Sequence, residues 1–108
     1  LPDSWNTLGV VLYRLEGPRA AMDAWKRAIA LDDRQFEAMY NLGLVAARAG
    51  DRAEARRALE RFAGSAPPDR FGPDIAKAKA ALAALDRSPP EDDDERAAAR
   101  RALERASG

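Results

Sequence analysis

Trp5-Asn6-Thr7-Leu8-Gly9-Val10-Val11-Leu12 is answered 34 residues later by Met39-Tyr40-Asn41-Leu42-Gly43-Leu44-Val45-Ala46. The Leu-Gly pair returns at that interval, and so do Ala21 with Ala55 and the large apolar pair Trp25 with Leu59. A fixed period of this length is the signature of an α-solenoid, whose helical hairpins cannot bury their apolar faces alone. The glycines stand mid-helix, where Gly costs about 1 kcal/mol against Ala. Repeated at one period, they are expected to mark close helix crossings facing Ala21 and Ala55, with Trp5, Trp25, Met39 and Leu59 filling the space on either side.

Working outward, apolar residues recur at helical steps through Trp5, Leu8, Val11, Leu12 and Leu15, after a cap at Asp3 or Ser4. Glu16-Gly17-Pro18 breaks that helix. A second helix over 19–31 places Ala21, Trp25, Ala28 and Leu31 on one face, and Asp32-Asp33 closes the pair and caps the third helix. That third helix, over 35–49, ends at Gly50-Asp51, and a fourth over 52–64 turns Ala55, Ala58, Leu59 and Phe62 inward. The Ser65–Pro73 segment, with its prolines and Gly72-Pro73, reads as an irregular connection. A fifth helix over 74–86 carries Ile75, Ala78, Leu82 and Leu85 on one stripe and covers the open end. The organisation expected is a domain over 1–87 (repeat one 2–35, repeat two 36–69, capping helix 73–87) and a polar tail over 88–108.

One hundred and eight residues suffice for one small core. The scarcity of β-branched residues beside abundant Ala, Leu, Arg and Glu predicts an all-α fold of about five to six helices. Eighteen basic residues balance 18 acidic ones, so no net field draws nucleic acid or an anionic membrane. No apolar run is long enough to span a membrane and no leader pattern is present, which favours the cytoplasm. A start at Leu1 rather than Met suggests a piece of a longer polypeptide, and the preference for Arg over Lys a bacterial source.

The spaced residues Trp5, Leu8, Gly9, Leu12, Ala21, Trp25 and Ala28 resemble a tetratricopeptide repeat (TPR), and Met39 through Pro67 resembles it as closely. The resemblance covers about two-thirds of the chain. It departs at Gly17-Pro18, at Asp33 and at Phe62, where the family usually has a small residue. Phe62 is expected to push any following unit outward and end the array. The resemblance implies a right-handed solenoid whose first helices line a concave groove that binds a peptide or a partner helix. On that geometry the groove presents Asn6, Val10, Tyr13 and Arg14 from the first unit, with Glu37, Tyr40, Asn41, Leu44 and Arg48 from the second. Asn41 matches an asparagine that in this family often bonds ligand backbone, and an amide offers donor and acceptor together. Tyr13 and Tyr40 suit interfaces, and Arg14 and Arg48 can grip carboxylates. Asn6 and Val10 replace residues of the family's dicarboxylate clamp, so binding of a C-terminal dicarboxylate is not expected.

The chain contains no His and no Cys, which removes the commonest general bases, nucleophiles and metal ligands. The acidic run Glu91–Glu95 lacks the spacing and central Gly of a calcium loop and reads as a helix start. Trp5 and Trp25 read as core residues rather than a base-stacking platform, and the arginines of the fourth helix as a solvated face. The expectation is therefore a non-enzymatic protein-interaction module, without cofactor, metal, membrane or nucleic acid. The alternatives are a homo-oligomerisation module, pairing as a homodimer, and a TPR tail of a larger enzyme.

Overall fold

The computed structural model describes residues 2–87 and 100–106, with side chains from residue 5 onward. The chain is all-helical, with no strand among the described residues. Its helices are α1 (Pro2–Glu16), α2 (Pro18–Leu31), α3 (Phe36–Ala49), α4 (Arg52–Ser65) and α5 (Pro68–Arg87). Residues 100–106 form a short, exposed helical segment on which Leu103 faces solvent. The acidic run at 91–95 and Ser88 lie outside the described residues.

The boundaries follow local chemistry. Gly17 separates α1 from α2 with φ at 98°, a left-handed value that favours glycine, and Pro18 opens α2 where no N–H is needed. Gly50 ends α3 at φ 84°, and Asp51 caps α4 by accepting a hydrogen bond from the Glu54 N–H at 3.2 Å. Asp33 does not cap α3. Asp32 instead accepts from the Arg34 N–H at 2.9 Å, and the residue that caps α3, Gln35, makes no side-chain capping bond.

Each helix packs on the next, and α3 also packs on α5. One core cluster joins Ala21, Met22, Trp25 and Ala28 of α2 to Ala38, Leu42, Val45 and Ala46 of α3 and to Ala55 and Ala58 of α4. The expected inward residues of α4 are indeed buried, whereas Leu31 is exposed at the end of α2. The glycine crossings exist, and the atoms nearest to them belong to Trp25 and Leu59. A Cβ on Gly9 would lie 2.3 Å from Trp25 Nε1, and one on Gly43 would lie 2.5 Å from Leu59 Cδ2. Trp25 and Leu59 therefore fill the two notches directly, and Ala21 and Ala55 are fully buried. Trp25 Nε1 also donates to the Asn6 carbonyl at 3.1 Å, which satisfies its buried indole.

The second cluster surrounds Phe62. All three phenylalanines of the chain lie in it: Phe71 meets Phe62 edge-on at 5.8 Å and Phe36 at 5.7 Å, while Tyr40 lies 5.1 Å from Phe62. Phe62 does not push the next helix away but receives it, because Phe71 brings α5 onto the ring. The irregular connection expected over 65–73 is mostly helical. Only Ala66 and Pro67 link α4 to α5, and Phe71 (φ −118°, ψ 19°) interrupts α5. That break lets Pro73 sit in the first turn of the longer helical piece, where its missing N–H leaves no acceptor wanting. The expected stripe of α5 holds, with Ile75 and Ala78 buried and Leu82 and Leu85 packed against the clusters.

The arginines of α4 do more than face water. Arg52 Nη2 donates to the Leu85 carbonyl at 2.6 Å, and Arg56 Nη2 reaches Asp86 Oδ1 at 2.6 Å. The Asp86 carboxylate, first through that hydrogen bond and then by charge, holds the Arg56 guanidinium above its ordinary value. Thus α5 is tied at its start by aromatic rings and at its end by guanidinium groups.

Candidate functional site

A hollow of about 470 Å³ opens where α1, the start of α3 and the start of α5 meet. Asn6 and Thr7 form one wall, Phe36 and Glu37 the second, and Arg70 and Phe71 the third, with Arg34 and Gln35 at the corner. Its walls are mainly polar. Its shape depends on the break at Phe71, which turns the first residues of α5 toward α3.

The structure links three of the nine expected groove residues by hydrogen bonds. Asn41 Nδ2 donates to Asn6 Oδ1 at 3.3 Å, and Asn6 Nδ2 donates to Glu37 Oε2 at 3.4 Å. An amide held by its neighbours offers both donor and acceptor to a peptide backbone. Tyr40 is half-buried against Phe62, and Leu44 packs against the same cluster. Burial raises the Tyr40 phenol above its ordinary value of 10.0. Asp74 raises it further and Arg48 opposes the rise, so both charged groups act on Tyr40. Arg48 is exposed on α3.

Val10, Tyr13 and Arg14 are exposed on α1 and join neither the amide chain nor the hollow. Arg34 and Arg70, which the sequence does not single out, join the site. Arg70 is held with its guanidinium 5.1 Å above the Phe71 ring. An irregular connection over 65–73 hides its approach to the start of α3. Continuing the helical spacing back through Pro68 is the signal that finds it.

A larger hollow, about 800 Å³, lies between α2 and α4 over Met39, Leu42 and Ala58. None of the nine expected groove residues lines it. Its rim charges largely satisfy one another: Lys26 lies 3.9 Å from Glu54, and Arg57 pairs with Glu54 at 2.5 Å. This makes it the weaker candidate, because a ligand there must compete with pairs already formed.

Among the described residues no group of His, Cys, Asp and Glu is arranged to hold a metal ion, and no helix is long and apolar enough to cross a membrane. Comparison with family models, curated proteins and solved structures finds no match to this chain.

Proposed function

We propose that this chain is a non-enzymatic protein-interaction module of the tetratricopeptide type, a short right-handed solenoid. It takes an extended peptide or a partner helix along the faces of α1, α3 and the start of α5. The observation that carries the reading is the chain of amides and carboxylate through Asn41, Asn6 and Glu37, beside the hollow edged by Arg70. Side chains already ordered by one another bind with less loss of freedom than free ones do. The 34-residue register of the two glycine notches supports the solenoid part of the reading.

A displayed library of extended peptides, selected against the full chain, tests this. Selected peptides should bind the double variant Asn41→Ala, Arg48→Ala at least about tenfold more weakly, a factor worth about 1.4 kcal/mol. Helical circular dichroism should not change. Peptides that bind the variant as well as the parent, or that lose affinity only with Arg61→Ala on the rim of the larger hollow, would move the ligand off this surface.

A further inference from the structure

Three arginines of α4 answer to groups of the chain itself: Arg52 to the Leu85 carbonyl, Arg56 to Asp86 and Arg57 to Glu54. Arg34 and Arg70 do not. Both border the polar hollow of about 470 Å³, one from the link between α2 and α3, the other from the first turn of α5. Neither belongs to an ion pair among the described residues. Asp32 accepts from the Arg34 backbone N–H at 2.9 Å and leaves its guanidinium unpaired. Arg70 lies over the Phe71 ring, which Phe36 and Phe62 hold by edge-on contact, so its guanidinium is placed before any ligand arrives. One carboxylate shares the hollow, that of Glu37, and it accepts from Asn6 Nδ2. The lining therefore carries two positive charges against one negative.

We infer that this hollow takes one carboxylate, the Asp or Glu side chain of an extended peptide, between Arg34 and Arg70. The inference rests on the peptide-binding reading of the same surface and adds the chemistry of the ligand. Both arginines stand outside the nine expected groove residues. A planar guanidinium fork matches a carboxylate through paired N–H donors. A single negative charge brings the lining to neutrality, whereas a phosphate dianion overshoots and meets Glu37 as a like charge. A chain of zero formal net charge offers no field to an anionic polymer such as a nucleic acid. Asn6 belongs both to the amide chain and to the wall of the hollow. A peptide whose backbone meets Asn41 and Asn6 thus lays a neighbouring side chain over the hollow. The carboxylate is that of a residue within the peptide rather than its terminus.

Selection of a displayed random-peptide library against the full chain tests this. The retained peptides should carry Asp or Glu at one fixed position. Replacing that residue by Asn or Gln in a synthetic copy should weaken binding about tenfold, the order of one hydrogen bond to a charged group. The same replacement should cost nothing against the double variant Arg34→Gln, Arg70→Gln. Both arginines are exposed, so that variant should keep the helicity and melting of the parent. Amidation of the peptide's C-terminus and addition of inorganic phosphate should leave affinity unaltered. Retained peptides with no acidic position that still weaken with Asn41→Ala, Arg48→Ala would overturn the carboxylate site and leave the peptide-binding surface standing. An acidic position whose replacement costs as much in the arginine variant, a loss on amidation, or displacement by phosphate would overturn it as well. A library that yields no binder would overturn both readings.

Discussion

Helices α1 and α3 are the same sentence written twice with different neighbours. Both carry Leu-Gly at the centre, both pack a large side chain from the following helix against that glycine, and both keep a helical apolar stripe. In α3 the stripe is packed with α2 and α4; in α1 Leu8, Val11 and Leu15 keep 40%, 45% and 76% of their surface. Burial is therefore a property of the assembled pair of surfaces rather than of the residue. The two helices show this clearly, because they share the Leu-Gly register while their surroundings differ.

The sharpest way to break the comparison is to truncate the same residue in both helices. Leu42→Ala should cost about 2–5 kcal/mol, since the side chain is enclosed, whereas Leu8→Ala should stay within about 1 kcal/mol. Urea unfolding followed by circular dichroism measures both; equal losses would mean that α1 is covered after all. A smaller effect is expected at the notches. Gly9→Ala drives a methyl group into the rigid Trp25 indole and should destabilise by about 1–3 kcal/mol despite the better helix propensity of alanine. At Gly43 the obstruction is Leu59 Cδ2 and Cγ, both at 2.5 Å, with the Leu59 backbone nitrogen at 3.4 Å, and the side chain is fully buried, so Gly43→Ala should destabilise by a similar amount. Thermal melting of the two variants measures both losses.

The smallest effect concerns Tyr40, whose counterpart in the first unit is Asn6. The folded chain favours the neutral phenol. That contribution to stability is complete below the ordinary value of 10.0 and is lost as pH rises through the higher folded value. Asp74→Asn should lower the alkaline titration of Tyr40, and Arg48→Ala should raise it. Ultraviolet difference titration against Tyr40→Phe reads both shifts. If neither moves, the charged groups do not act on this ring as described.

Much of the helix order was legible because it rests on short-range chemistry: Gly17-Pro18, Gly50-Asp51 and the returns of Leu, Gly and Ala each speak locally. Contacts made by distant segments were not. Two prolines and Gly72-Pro73 look like a loop until Phe71 is seen to absorb the break and dock on Phe62. Arg52 and Arg56 look like a solvated face until the last turn of α5 arrives beside them. Of the candidate site, Asn6, Glu37 and Asn41 were legible from the 34-residue register, and hydrogen bonds bring these three together. Arg70 was not, because its position depends on the early start of α5.

The aromatic residues are sorted by type along the chain, and this has an optical consequence. Both tryptophans belong to α1 and α2, while every phenylalanine gathers where α3, α4 and α5 meet. Trp25 is sealed against the Gly9 notch, and Trp5 lies under the Arg27 guanidinium at 5.5 Å. Indole emission from this chain therefore watches only the leading half of the molecule, and the junction at Phe62 is dark to it.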